Sequence, residues 1–278
     1  NINQNNITGR LNWNGIYFHD SDSSTVMNNY IERTEKNQDG GGWKYLIDGN
    51  NSEGSIIKKD TMIYKINKND FDGWNHSNMI LRCEWSIVDS NYIDVELTAG
   101  SNFGIHDERN SDITNNYIKI WSDAWSEQEF IRSNNSGTYV NKIENNHLIA
   151  DRHDRESWDG IRAYSNTIVK NNTIEGNYLG WAINVHDDCI VENNTISGYI
   201  DNDIIVVEGD STIIRNNTVN STGHGTGIRI HGKVYIHIYN NDFFNSGSGM
   251  FLEAYSSELY AYGNLFESNT GRGFYIHD

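Results

Sequence analysis

Apolar and polar positions recur along this chain in one short frame: apolar, any residue, a polar residue that is usually Asn, Asn, any residue, apolar. Residues 169–174, 191–196 and 214–219 are three consecutive copies. We count eleven copies, and their marker asparagines are Asn6, Asn29, Asn69, Asn91, Asn116, Asn146, Asn172, Asn194, Asn217, Asn241 and Asn264. Most neighbouring markers are 22 to 26 residues apart, and two intervals are longer, at 40 and 30 residues. A repeat of this length predicts a solenoid, in which each unit packs on its neighbours.

The segments between the markers predict short β-strands. Residues 160–163 and 167–170 alternate between apolar and polar side chains, and Ser165-Asn166 between them is typical of a turn. Ile and Val dominate these segments, and no stretch has a helical period. The pattern therefore predicts an all-β, right-handed parallel β-helix of about eleven coils of 22–24 residues, with insertions near 34–58 and 119–140. We expect one domain over 1–278, as part of a longer chain.

The leucine-rich repeat is the alternative solenoid. Its consensus also places an Asn with apolar residues three before and two after it. Here Ile dominates over Leu and the Asn is usually doubled, which favours the β-helix. An Asn side chain both donates and accepts hydrogen bonds and tolerates left-handed backbone. We therefore expect each marker to bond its equivalent one coil away, as a ladder of amides.

Doublets such as Asn171-Asn172-Thr173-Ile174 and strands such as Gly227-Ile228-Arg229-Ile230 resemble the coils of the pectin-lyase-like superfamily. The resemblance covers essentially the whole chain and is specific for the fold rather than for an activity. That superfamily includes polysaccharide lyases, polygalacturonases, epimerases, phage tailspikes and adhesins. The resemblance implies a polysaccharide ligand along the outer face of the sheets, and an extracellular or cell-surface location.

The composition narrows the set of partners. The net charge of −17 repels phosphate backbones, so nucleic acid is not an expected partner. No apolar run reaches the roughly 18 residues that a membrane-spanning helix needs, so we expect no membrane span. Cys83 and Cys189 lie four repeats apart, which is about 19 Å at roughly 4.8 Å per strand. This exceeds the roughly 7 Å limit for a disulfide, so both are predicted to be buried free thiols.

Function in a solenoid usually lies in insertions and on one outward face. The alternation of side chains along the strands predicts a row of outward-pointing residues, and Val207 is one of them. On four adjacent coils in the middle of the chain, basic, acidic and imidazole groups converge at similar strand positions. The predicted catalytic residues are Arg162, His186, Asp187, Glu208, Arg229 and His231. The predicted substrate-binding residues are Trp121, Trp125, Trp158, Tyr164 and Lys233. In this hypothesis arginine neutralises an acidic sugar, and His, Asp or Glu moves protons.

The reaction type stays open between a lyase and a glycoside hydrolase. A lyase of this superfamily often uses calcium, for which Asp159 and Asp188 are the candidate ligands, but no compact loop supplies the six to eight oxygens that calcium prefers. The triplets 187–189 and 223–225 match two polygalacturonase motifs, although the other motifs of that family are missing.

A function of a different class also fits the sequence. A non-catalytic structural or adhesive module of a surface fibre, sheath or tailspike explains the scarcity of a sharp catalytic signature. A homo-oligomer or filament is the assembly expected for such a module.

Overall fold

The computed structural model describes residues 1–9, 15–35, 43–66, 76–97, 101–108, 110–122, 128–135, 139–152, 158–231, 234–253 and 257–277. Coils one to four contain β1 (Ile2–Asn3), β2 (Asn6–Gly9), β3 (Ile16–Tyr17), β4 (Thr25–Met27), β5 (Tyr30–Glu35), β6 (Trp43–Glu53), β7 (Ile56–Lys58), β8 (Thr61–Ile66), β9 (His76–Glu84), β10 (Ile87–Asp89), β11 (Tyr92–Leu97) and β12 (Ser101–Glu108). Coils five to eight contain β13 (Asp112–Thr114), β14 (Tyr117–Ser122), β15 (Gln128–Ser133), β16 (Asn141–Glu144), β17 (His147–Arg152), β18 (Trp158–Ala163), β19 (Thr167–Lys170), β20 (Thr173–Leu179), β21 (Trp181–Val185), β22 (Ile190–Glu192), β23 (Thr195–Ile200) and β24 (Ile205–Val207). Coils nine to eleven contain β25 (Thr212–Arg215), β26 (Thr218–Ser221), β27 (Thr226–His231), β28 (Val234–Tyr239), β29 (Asp242–Phe244), β30 (Ser248–Glu253), β31 (Ser257–Tyr262), β32 (Leu265–Glu267) and β33 (Phe274–His277).

Each coil gives one strand to each of three parallel sheets of 11 strands. The first sheet begins with β1 and β4, the second with β2 and β5, and the third with β3 and β6, and each then takes every third strand of the chain. The described residues contain no helix, and therefore none that could span a membrane. The predicted right-handed parallel β-helix is confirmed, and the leucine-rich repeat is wrong because every coil has three strands.

The core is a stack of aligned apolar side chains. On the first sheet, Ile143, Val169 and Val191 are direct partners on successive coils, and all three are fully buried. Ile and Val suit these positions because their branched side chains are stiff and pack well on a pleated surface. Because parallel pairing keeps each row in register, the outward residues of successive coils also form rows.

The bend between the first and second sheets has the same two-residue structure in every coil. Its first residue has a positive φ angle, and these residues are Gln4, Asn28, Lys59, Ser90, Asn115, Asn145, Asn171, Asn193, Asn216, Asn240 and Gly263. Its second residue is a rung of a hydrogen-bonded ladder, and the rungs are Asn5, Asn29, Asp60, Asn91, Asn116, Asn146, Asn172, Asn194, Asn217, Asn241 and Asn264. The doubled asparagine thus serves two purposes, since the first tolerates left-handed backbone and the second carries the ladder.

Asn172 shows how a rung is held. Its backbone N–H and its Nδ2 donate to Oδ1 of Asn194 at 2.9 and 3.0 Å. Its Nδ2 also donates to the carbonyl of Ile143 on the preceding coil at 2.8 Å. The amide therefore satisfies buried backbone groups that a bend would otherwise leave without partners. The predicted asparagine ladder is confirmed.

Two of the eleven predicted markers are wrong. Asn5, not Asn6, donates to Asn29, since Asn6 already belongs to strand β2. Asn69 lies outside the described residues, and the third rung is Asp60, which accepts from Asn29. With Asp60 in place, the interval of 40 residues disappears and the rungs at 29, 60 and 91 are spaced by 31 residues.

The coils with predicted insertions keep their three strands. Residues 43–53 form β6, and residues 117–122 and 128–133 form β14 and β15. The rest of the two predicted insertions includes residues 36–42, 123–127 and 136–138, which lie outside the description.

Cys189 belongs to a second buried row, at the bend between the third and first sheets. It aligns with Thr167 and Thr212 on the neighbouring coils. Its thiol contacts the carbonyls of Tyr164 and Asp187 at 3.4 Å, and burial raises its pKa to about 12. The prediction of a buried free thiol is confirmed for Cys189. The side chain of Cys83 lies outside the described part of the structure.

The ladder predicts a large loss of stability for Asn194→Ala. The substitution removes the Oδ1 that accepts two hydrogen bonds from Asn172, and the Nδ2 that donates to Val169 and Asn217. Buried groups left without partners cost about 1–3 kcal/mol each, so we expect a loss of about 3 kcal/mol or more in the free energy of unfolding. A guanidinium titration measures it.

Asn193→Gly is the matched control on the same bend. Asn193 is exposed and has a φ of 56°, which glycine adopts freely. We expect a change within about 0.5 kcal/mol. Equal losses in the two variants would contradict the ladder.

Candidate functional site

A straight row of polar side chains crosses the outward face of the third sheet. We call this row the outer stripe, and its members are Tyr164, His186, Glu208, His231 and Glu253, on coils six to ten. Each lies in or directly after the third strand of its coil, so register places them side by side at about 4.8 Å per coil. Along the helix axis the stripe therefore presents an aromatic ring, an imidazole, a carboxylate, an imidazole and a carboxylate, one from each coil.

The outer stripe contains two groups of contacting neighbours, one formed by Tyr164, His186 and Glu208 and the other by His231 and Glu253. The rings of Tyr164 and His186 are stacked, with centroids 4.5 Å apart and planes 9° apart. Nε2 of His186 lies 3.3 Å from Oε2 of Glu208, and Nδ1 of His231 lies 3.1 Å from Oε2 of Glu253. The four charged or imidazole side chains keep 24% to 42% of their surface exposed. The stripe is therefore ordered by its own contacts and still accessible.

His186 is the member whose proton affinity is changed most clearly. Burial lowers its pKa from the ordinary value of 6.5, Glu208 and Asp187 act in the opposite direction, and Arg162 and Arg132 add to the lowering. The imidazole is therefore neutral at neutral pH. A neutral imidazole beside a carboxylate can accept a proton, which is the property a general base needs.

Beside the outer stripe lies a network of two arginines and two buried carboxylates. Nη1 of Arg162 donates to Oε1 of Glu129 at 3.0 Å, and its Nε lies 3.9 Å from Oδ2 of Asp159. Nε of Arg132 lies 3.4 Å from Oε2 of Glu129, and its Nη2 donates to the hydroxyl of Tyr164 at 3.3 Å. Because Glu129 and Asp159 keep less than a tenth of their side-chain surface exposed, each needs this compensation. The network ties the first residue of the outer stripe to the sheet.

Arg229 is held in the same way three coils beyond Arg162. Its Nε lies 3.1 Å from Oδ2 of Asp203, and its guanidinium lies 4.9 Å from the centre of the Phe251 ring. The two predicted catalytic arginines are thus both bound to buried carboxylates. Neither is a spare cation for an acidic sugar.

The predicted outward position of Val207 is wrong. Val207 pairs with Val185 and Ile230, and all three are core residues. Val206 takes the place in register with Asn184 and Arg229, although its own side chain is buried as well. The strand on this coil starts one residue out of step with the marker asparagine, and counting back from the marker therefore failed there.

Asp187 and Asp188 belong to a turn rather than to the outer stripe. Oδ1 of Asp187 accepts from the backbone N–H of Asp210 on the next coil at 2.7 Å, and Asp188 has a φ of 54°. Asp159, the other candidate calcium ligand, is in the arginine network on the third sheet. In the described part of the chain, no three His, Cys, Asp or Glu side chains are arranged to hold a metal. The geometry thus gives calcium no support.

The predicted substrate-binding residues lie on different faces. Tyr164 is on the outer stripe and Trp158 is the first residue of β18, also on the third sheet. Trp121 is on β14 of the second sheet, so it does not join them. Trp125 and Lys233 lie outside the described residues.

A groove that the sequence did not predict runs beside Trp121 on the second sheet. It has a volume of about 340 Å³ and is lined by Ile149, Ala150, Asp151, Glu175, Gly176, Asn177, Ser197 and Gly198. Trp121 is the strand partner of Asp151. A Cβ on Gly198 would lie 1.9 Å from the carbonyl oxygen of Gly176, so this close approach of two coils requires glycine. In the sequence, the glycines at 176 and 198, at equivalent positions of successive coils, were the feature from which this groove could have been predicted.

Fold and faces together define the chain as a right-handed parallel β-helix repeat protein. A family model described as a right handed beta helix region matches residues 181–278. One similar solved structure is that of the surface protein and adhesin PfbA of Streptococcus pneumoniae, with 9% identity, a TM-score of 0.37, and coverage of 92% of this chain and 90% of that one. That likeness is too weak to carry an argument about function. No curated protein sequence matches the chain.

The lowered pKa of His186 predicts a specific titration. In a proton NMR titration, the His186 ring should titrate below pH 6.5. Glu208→Gln should lower its pKa further, because the Glu208 carboxylate favours the charged imidazole. Glu253→Gln, three coils from His186, should leave it unchanged. A His186 pKa above 6.5, or one that rises in Glu208→Gln, would contradict this geometry.

Proposed function

We propose that the chain is an extracellular carbohydrate-active protein that binds a polysaccharide along the outer stripe and cleaves it there. The observation that supports this most is the row of five accessible aromatic, imidazole and carboxylate groups on five successive coils. A solenoid surface repeats by translation, so the ligand that matches it best is a linear polymer along the axis. Hydroxyl groups of sugars pair with imidazole and carboxylate groups.

The charge of the site favours a neutral polysaccharide over an acidic one. Arg162 and Arg229 are bound to carboxylates, and the outer stripe itself carries two glutamates and no arginine or lysine. A lyase requires a cation for the uronate group, and Arg162 and Arg229 could supply it only by breaking an ion pair with a buried carboxylate. Hydrolysis is therefore the reaction that the geometry supports better.

Glu208 and Glu253 are the proposed carboxylate pair. They lie two coils apart, which is about 9.6 Å along the sheet at roughly 4.8 Å per coil. This spacing is at the upper limit of the roughly 6.5–9.5 Å by which inverting glycoside hydrolases separate their two carboxyl groups, so that water fits between sugar and base. One carboxyl group would protonate the leaving oxygen and the other would activate water. His186 and His231 would orient the two glutamates through the contacts described above.

A panel of neutral and uronic-acid polysaccharides tests this proposal. We expect release of reducing ends from at least one neutral polysaccharide, without the absorbance of unsaturated ends that a lyase produces. Glu208→Gln and Glu253→Gln should each lower the rate by about 10²–10⁴-fold, as expected when a proton-transfer group is lost. His186→Ala should lower it as well.

His237→Ala is the matched control for His186→Ala. His237 stacks on Tyr260 with centroids 4.9 Å apart, much as His186 stacks on Tyr164, but it lies on the first sheet. We expect wild-type rates from this variant. Wild-type rates from Glu208→Gln and Glu253→Gln on a cleaved substrate would remove the outer stripe as the catalytic site.

A non-catalytic structural or adhesive module is the second candidate function. The observation in its favour is that each imidazole and carboxylate of the outer stripe already has a partner, on a sheet that continues through eleven coils. Polysaccharide binding that is lost in His186→Ala, with no turnover of any polymer in the panel, would establish this alternative over the enzyme.

A further inference from the structure

Asp60 is the one rung of the ladder whose side chain is a carboxyl group rather than an amide. It occupies the bend between β7 and β8, only 1% of its surface is exposed, and the ladder continues through it from Asn29 to Asn91. The other ten rungs are asparagines, so at this coil an oxygen stands where every other coil has an NH₂ group.

The two oxygens of Asp60 have different surroundings. Oδ1 accepts from the backbone N–H and from Nδ2 of Asn29, at 2.6 and 2.9 Å. The backbone N–H of Asp60 donates to Oδ1 of Asn91 at 3.0 Å, as at the other rungs. Oδ2 is buried without a hydrogen-bond partner.

The register of the ladder identifies what Oδ2 faces. In Asn91, the Nδ2 atom takes the place that Oδ2 has in Asp60. It donates to Oδ1 of the next rung, Asn116, and to the carbonyl of Ile57, which lies three residues before the preceding rung. For Asp60 the equivalent atoms are Oδ1 of Asn91 and the carbonyl oxygen of Val26. Both are acceptors, so an ionised Oδ2, which has no hydrogen-bond partner of its own, would lie against two oxygens.

We propose that Asp60 binds a proton on Oδ2 and donates it within the ladder, so that this rung joins the second, third and fourth coils most strongly while it is protonated. A protonated carboxyl group has one donor and one acceptor, so it reproduces one of the two hydrogen bonds that the NH₂ group of an asparagine rung donates. The rung is thus a buried proton-binding site and a pH-sensitive joint.

The charged groups around this rung are not the cause of the raised pKa of Asp60. The titratable or charged side chains on the stacked turns and strands are Tyr30, Glu32, Arg33, Lys58, Lys59, Tyr64, Lys65, Asp89, Tyr92 and Asp94. Lys58 is paired with Asp89, at 2.7 Å, and Tyr30 with Glu32, at 2.9 Å. Burial raises the pKa of Asp60 to about 6, while hydrogen bonds from Asn29 and from the backbone of Lys58 lower it in part, and none of these charged side chains contributes to the shift.

The direction of the pH effect follows from this raised pKa. The folded protein holds the proton more tightly than the unfolded chain, whose value is 3.8. The stabilisation is therefore complete below about pH 4 and is lost as the pH rises through about 6. A difference of this size corresponds to about a 100-fold change in the opening equilibrium of these coils.

Asp60→Asn tests the proposal, because it supplies the amide at every pH. Hydrogen exchange of the backbone amides is compared between the variant and the wild type at matched pH. From pH 4 to pH 8, the wild type should lose up to about 100-fold in protection relative to Asp60→Asn over coils two to four. Coils eight to ten should exchange alike in both proteins.

Asp89→Asn is the matched control on the fourth coil. Burial raises the pKa of Asp89, but hydrogen bonds from Lys58, Asn115, Thr114 and Ser90 outweigh it and lower the value to about 2. Asp89→Asn should have the opposite effect on hydrogen-exchange protection. At neutral pH the variant should be less protected than the wild type, and this difference should shrink as the pH falls toward 2. Parallel pH profiles in the two variants would overturn the proposal.

Carbon NMR of the Asp60 carboxyl group gives a second readout that does not depend on a variant. A midpoint near pH 6 supports the bound proton. A midpoint at or below pH 4 overturns it, as does an Asp60→Asn protein that is less protected than the wild type at pH 8.

Discussion

The structure depends on one interaction, the hydrogen bonding of a buried side-chain amide at the bend between the first and second sheets. Each coil turns there through a residue with positive φ followed by a rung. Such a bend leaves backbone groups without partners in an apolar interior, where each would cost roughly 1–3 kcal/mol. An asparagine rung donates to a backbone carbonyl on the preceding coil and accepts from the backbone N–H of the preceding rung. Neighbouring coils are therefore joined in one fixed register.

That register decides what the outer surface can do. Once the rungs align, the third strands of successive coils align as well, and residues distant in sequence become neighbours about 4.8 Å apart. The stacked Tyr164 and His186, and the His–Glu contacts that follow, are consequences of this alignment. The arginines of the same face are held by Glu129, Asp159 and Asp203, which makes them supports of the site rather than free cations.

The sequence predicted the parts of the fold that repeat. The doublets around Asn172, Asn194 and Asn217 identified the coil, the ladder and the β-helix, because translation makes one coil informative about the next. Departures from the repeat were predicted poorly. Asp60 was not recognised as a rung because its side chain is not an amide, and Asn69 was counted in its place. The convergence of His186, Glu208 and His231 was predicted from the sequence, yet the ion pair of Arg162 was not. Contacts with buried acids such as Glu129 depend on side-chain reach between coils. The groove beside Trp121 depends on two glycines whose effect is visible only when the coils are stacked.

Side-chain amide exchange in the asparagine doublets tests the ladder most directly, since each doublet contains its own control. In Asn145-Asn146, Asn171-Asn172, Asn193-Asn194 and Asn216-Asn217, the second residue is a buried rung with both of its Nδ2 contacts made inside the protein. Deuterium exchange followed by NMR should leave the NH₂ signals of the second residues protected long after those of the first residues have disappeared. Equal exchange within the doublets would contradict the ladder and, with it, the register that aligns the outer stripe.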